Sequence, residues 1–141
     1  MKEQLTRSSV IPAALMAAVV FFVFFTLQNY GPESAVRRFH EGVLDQSYVE
    51  IDDVILRPSN PNHVGLLEMY VANHLAQGAQ ITLHDVERAP TSVSVSVVYH
   101  APNTLPASVT WATQKTEDGW KVDVDRTLYL WRQQDWNLLK P

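Results

Sequence analysis

Residues 92–100 read Ser-Val-Ser-Val-Ser-Val-Val-Tyr-His. Val93, Val95, Val97 and Tyr99 alternate with Ser92, Ser94, Ser96 and Val98, a period of two that gives a strand one apolar and one polar face. Upstream, Ile81 and Leu83 alternate with Thr82 and His84 until Ala89-Pro90 breaks the run. Downstream, the loop Ala101–Pro106 leads into Val109, Trp111 and Thr113, alternating with Ser108, Thr110 and Ala112. Asp118-Gly119 is then a hairpin signal. A two-residue turn there pairs Glu117 with Trp120, Lys115 with Val122 and Thr113 with Val124, so Val109, Trp111 and Thr113 share a face with Val122 and Val124. Asp123 and Asp125 fall on the wet face. Arg126 has the apolar parity, so either the strand has left the core by that point, the favoured reading, or Arg126 pairs with a buried acid. The pattern is that of an antiparallel sheet covered on a single side.

Before Gly78 the period is 3.6. Gly31-Pro32-Glu33 opens a helix whose stripe is Val36, Phe39 and Val43. Tyr48–Leu56 reads as a short second helix, and Arg57–Asn62 as a loop. Asn60 caps a third helix with Pro61 at its first position and the stripe Val64, Leu67, Val71 and His74 or Leu75; Gly78 is its stop. Helices first and antiparallel strands after predict an α+β layer pair.

Val10–Leu27, VIPAALMAAVVFFVFFTL, carries no charge. At ~1.5 Å per residue it extends about 27 Å, close to the thickness of a bilayer's hydrocarbon core. It ends in bulky Phe24, Phe25, Thr26 and Leu27 rather than in small residues resembling A-x-A, which favours an uncleaved anchor over a signal peptide. Gln28, Asn29 and Tyr30 read as an interfacial collar. The expected organisation is a tail over 1–9, a transmembrane helix over 10–27, a domain over 28–126 and a C-terminal tail over 127–141. The expected location is the cell membrane, single-pass, with the domain extracytoplasmic.

GPESAVRRFHEGVLDQSY (31–48) resembles the opening helix of the nuclear-transport-factor-2-like superfamily. ITLHDVERAPTSVSVSVVYH (81–100) is similar to that superfamily's paired strands, and TQKTEDGWKVDVD (113–125) to its terminal hairpin. The resemblance covers most of 32–126 and rests on apolar positions and turns, not on a catalytic signature. It implies a cone of about three helices packed on a curved antiparallel sheet. The superfamily contains both pocket enzymes and non-catalytic modules, so fold alone does not choose between them.

The chain has no cysteine and a net charge of −4, which excludes thiol chemistry and argues against nucleic acid. None of the five histidines, His40, His63, His74, His84 and His100, has helical metal-ligand spacing, so no metal site and no cofactor is expected. A pocket enzyme needs an inward base. By parity with Ile81 and Leu83, Asp85 and Glu87 point inward, unless both simply lie at a strand end; Asp85, Tyr99 and His74 form a conceivable constellation, with His40 beside the stripe of its helix. Against it stand the absence of any catalytic motif and the ordinary role of Tyr99 as a core aromatic. The resulting expectation is a membrane-anchored, non-catalytic interaction or scaffold domain, the alternative being an isomerase- or dehydratase-like ligand pocket. Its expected partners are the bilayer through 10–27, and a protein or a second copy through the sheet or the tail. In that tail Leu128, Leu130, Trp131, Trp136, Leu138 and Leu139 cluster, either as a partner surface or as an element packed back on the sheet.

Overall fold

The computed structural model describes the backbone of residues 2–29 and 31–134, and their side chains except those of 2–9, 25–29, 85 and 86. It divides into two units, residues 1–31 and 32–141.

The first unit is one helix, α1 (Lys2–Asn29). Its described side chains, 10–24, are apolar and exposed. Among the described residues no helix is long and apolar enough to cross a membrane. The transmembrane helix expected over 10–27 is corrected on that finding. With it go the bilayer as partner, the single-pass location in the cell membrane and the extracytoplasmic placement of the domain. The side chains of Gln28 and Asn29, and Tyr30 as a whole, lie outside the described residues.

The second unit is α+β, as expected. Three helices, α2 (Pro32–Leu44), α3 (Tyr48–Val54) and α4 (Asn62–Ala76), precede β1 (Gln80–Arg88), β2 (Ser92–His100), β3 (Ala107–Thr116) and β4 (Gly119–Val122); α5 (Val124–Gln134) closes the chain. The strands form one curled antiparallel meander in the order β1-β2-β3-β4. On β2 the alternation is obeyed throughout: Val93, Val95, Val97 and Tyr99 are buried, and the residues between them are not. Against that face pack Val36 and Phe39 of α2, Ile51 and Val54 of α3, and Leu67 and Val71 of α4. Gly42 is where α2 and α3 come closest. A Cβ there would lie 2.8 Å from Ile51 Cγ1 and 3.4 Å from its backbone nitrogen. Arg38 pairs with Asp53 at 2.8 Å, and Lys121 Nζ donates to the Asp53 carbonyl, so α2, α3 and β4 are also joined at the surface.

The hairpin differs from the expected register by two residues. The observed pairs are Thr116 with Gly119, Lys115 with Trp120 and Thr113 with Val122. Gly119 takes φ +106°, which lets the turn close with Glu117 and Asp118 at its tip. Because the shift is even, Trp120 and Val122 keep the core parity and Lys121 the polar one, although Ala112, on the polar parity of β3, is buried. β1 departs in parity: Asp85 pairs with Val95 but Glu87 with Ser94, so Val86 is an extra residue, a β-bulge. Glu87, expected to face inward, therefore lies opposite the polar face of β2 and is exposed.

The strand expected to continue through Val124 stops at Val122. Asp123 Oδ1 accepts from Arg126 N at 3.1 Å and caps α5. The tail from 127 to 134 is thus part of the fold: Thr127, Leu128 and Trp131 are buried against β3. Trp136, Leu138 and Leu139 lie outside the described residues. α5 also continues the edge of β3 where β4 ends. Asp123 N donates to Ala112 O, Ala112 N to Thr127 Oγ1, Trp131 Nε1 to Thr110 O, and Thr110 N to Gln134 Oε1. Residues at i, i+4 and i+7 of a helix thereby serve backbone groups that a strand would otherwise have paired.

Trp131→Ala should cost about 3–5 kcal/mol in urea unfolding, whereas Tyr129→Ala, on the open face of the same helix, should stay within about 0.5 kcal/mol. Gly42→Ala should destabilise by about 1–3 kcal/mol despite alanine's better helix propensity, because the added methyl overlaps Ile51.

Candidate functional site

The polar groups of the interior gather where α2, α4, β2, β3 and α5 meet. His40 follows Phe39 on the inner side of α2 and is buried. Its Nδ1 lies 2.7 Å from the Val36 carbonyl, one helical turn back. A carbonyl can only accept, so Nδ1 carries the proton and Nε2 of the neutral ring is an acceptor. The Tyr99 hydroxyl, 2.6 Å away, donates to it. Around this relay the rings close in: His74 stacks on Tyr99 at 4.4 Å and 21°, Tyr70 meets Tyr99 edge-on at 5.7 Å, and Trp111 lies 4.9 Å from His40. Trp131 completes the cluster, 4.6 Å from Tyr70 and 5.4 Å from Trp111.

Burial governs the protonation of these groups. It lowers His40 to about 4, with the Val36 hydrogen bond opposing and neighbouring His74 assisting. It lowers His74 as well, and it pushes Tyr70 up to about 12. Tyr99 is raised by burial first and by Tyr70 second. The indole N–H of Trp111 acts against that rise yet makes no hydrogen bond of bonding geometry; Trp111 Nε1 and Tyr70 Oη are the buried side-chain atoms without a partner among the described residues. At neutral pH the whole cluster is therefore uncharged.

Of the three expected site residues, Tyr99 and His74 are brought together. The third, Asp85, pairs with Val95 on the backbone, and its side chain lies outside the described residues. His40, placed by the sequence only at the side of a helical stripe, is the residue that bonds Tyr99. The signal available was a histidine next to Phe39 in an otherwise apolar face, without anything to indicate its partner 59 residues on. Chemically the relay is closed: the His40 lone pair is occupied by the tyrosine proton, and the Nδ1 proton by the helix backbone. A general base needs that lone pair open to a substrate.

Beside His40 a groove of about 570 Å³ runs between α2 and β1. Leu44, Leu75, Ala79, Ile81 and Leu83 give it apolar walls, and Arg37 and Glu41 stand at α2. A second polar pair lies elsewhere. Asp125, expected to be solvated on a strand, accepts from His63 Nδ1 at 2.7 Å and from Ser59 N at 2.8 Å. His63 and the Ser59 N–H hold its carboxyl below the usual range. Ser59 bonds the carboxylate through its backbone rather than the imidazole, so the group fastens the loop before α4 to the first turn of α5 and does not assemble a nucleophile. Among the described residues no three His, Cys, Asp or Glu side chains gather as metal ligands would. No family model, curated protein or solved structure matches the chain.

The lowered His40 value fixes a pH dependence. The unfolded chain binds a proton near pH 6.5 and the folded chain only near 4, so stability is intact above 6.5 and falls as pH drops through that window. At 1.36 kcal/mol per unit the loss is about 3 kcal/mol by pH 4. Urea melts of the native chain and of His40→Gln from pH 7.5 to 4 should show the native slope and a flatter one for the variant.

Proposed function

We propose that residues 32–134 form a non-catalytic interaction domain, one that works through its surface rather than through an internal pocket. The observation that carries this reading is the filled interior. Trp111, Trp131, Tyr99 and Phe39, the four largest fully buried side chains, occupy the space on the inner face of the sheet where a ligand cavity would have to lie. The relay between His40 and Tyr99 supports it, because the His40 lone pair and the Tyr99 proton are used on each other and the His40 Nδ1 proton on Val36. The resemblance to the nuclear-transport-factor-2-like superfamily is compatible with it, since that fold also serves non-catalytic modules. The tail is not the surface in question over 127–134, where Leu128 and Trp131 are core.

The groove between α2 and β1 favours a second reading, the binding of a small apolar ligand, since its size falls within the range such sites occupy. In that case Leu44→Arg, at an exposed position of the groove, would remove the function at unchanged stability.

Asp85→Asn, Tyr99→Phe and His74→Gln should each complement a knockout fully. Tyr99→Phe should lower stability by about 1–3 kcal/mol, because His40 Nε2 is left buried and unpaired. Loss of complementation by any of the three at an unchanged melting temperature would replace the interaction domain with a pocket enzyme.

A further inference from the structure

The outer surface of α3 and α4 has the features of a seat. Two adjoining grooves of about 440 and 550 Å³ share Tyr48, Ile51 and Glu68 in their walls and so form one trough along the two helices. Large apolar side chains stand open at it: Tyr48 is 75 % exposed, Val49 80 % and Met69 52 %. Trough-lining residues of α4 are small at Gly65 and Ala72, one turn either side of Met69. Gly65 has no internal reason to be glycine. A Cβ there would meet nothing within 4 Å, and a helix-interior glycine weakens its helix relative to alanine. Its position is explained by a close approach from outside, where a missing side chain lets another backbone come near.

Charge specifies what approaches. Glu68 sits half-buried in the trough and Asp52 lies at its side, while no Lys or Arg lines it. Neither carboxylate has an ion-pair partner among the described residues. Burial raises the Glu68 carboxyl from its ordinary value. A second copy docked symmetrically through the same trough would bring two acidic surfaces together with no Lys or Arg in either lining to answer them. We propose that this trough is the docking site for an amphipathic helix of a partner protein that carries a Lys or Arg within its apolar stripe. The inference rests on the interaction-domain reading and names the surface and the partner class. The mode is helix-in-groove recognition, with apolar anchors against Tyr48, Val49 and Met69 and the cation on Glu68.

The probe is a labelled synthetic helix of Leu and Lys, about 18 residues long so that it is helical in water, titrated with the full-length chain and followed by fluorescence anisotropy. A matched helix with Glu in place of Lys is the control. The Lys helix should bind and the Glu helix should not. Glu68→Gln combined with Asp52→Asn should weaken binding at least tenfold. Gly65→Trp should abolish it at an unchanged circular dichroism spectrum; Met69→Lys, at an exposed position, should do the same and serves if the tryptophan variant does not fold. Leu105→Ala, an exposed apolar position outside the trough, should change nothing. Equal binding of the Glu helix, or undiminished binding by Met69→Lys, would overturn the proposal, as would a dimer in light scattering that Met69→Lys dissociates. Each of these leaves the interaction-domain reading standing, because that reading is tested at Asp85, Tyr99 and His74, none of which lines the trough.

Discussion

A ten-residue strand beside a four-residue one leaves backbone donors and acceptors over. At the edge of β3 beyond the end of β4 those groups belong to Thr110 and Ala112, either side of the core residue Trp111, where an unmade hydrogen bond costs most. The domain answers with a helix. Asp123 turns the chain, and α5 then runs along the strand edge with Thr127, Trp131 and Gln134 reaching down to it. The same helix delivers Trp131 to the middle of the aromatic cluster. Backbone satisfaction and core packing are therefore one event, and the sheet's interior cannot be closed without the last turns of the chain.

The second tie is electrostatic in origin but carries no charge. A histidine buried against Trp111 and Tyr99 is tolerable only if neutral, and a neutral imidazole needs one donor and one acceptor contact. The Val36 carbonyl and the Tyr99 hydroxyl supply them. The relay thus joins the backbone of α2 to a side chain of β2, which fixes how far the helix stands from the sheet. Stacking of His74 brings α4 into the same arrangement. Groups that a reader of the sequence would nominate for acid–base work tie the layers to one another.

Much of this was legible in the sequence, for reasons that are local. Alternation at 92–100 placed the core side of the sheet, and the stripes Val36–Phe39–Val43 and Val64–Leu67–Val71 placed the inner faces of two helices. The hairpin faces were right although the pairs were displaced by two, because parity ignores even shifts. What failed depended on information that is not local. The bulge at Val86 reversed the parity of Glu87, and nothing in its neighbours announces an unpaired residue. Asp123 and Asp125 read as strand residues until the need to cover β3 made one a helix cap and the other a partner of His63. The apolar run at 10–27 reads as a span from its charge, length and flanks, yet among the described residues no helix is long and apolar enough to cross a membrane. Of the site, Tyr99 and His74 could be nominated, but the bond that defines their role runs to His40 on another layer.

The bulge in β1 also bears on how the molecule behaves in a crowd. β1 is the outer strand of the sheet, and a long flat outer strand is a template on which other chains can polymerise. An extra residue at Val86 twists that strand out of plane, and beyond it Arg88 stands opposite Val93, a charge on the side that an incoming strand would need apolar. The edge is thereby spoiled for growth over its last third. What blunts this edge is a defect of the ladder rather than the composition of the strand.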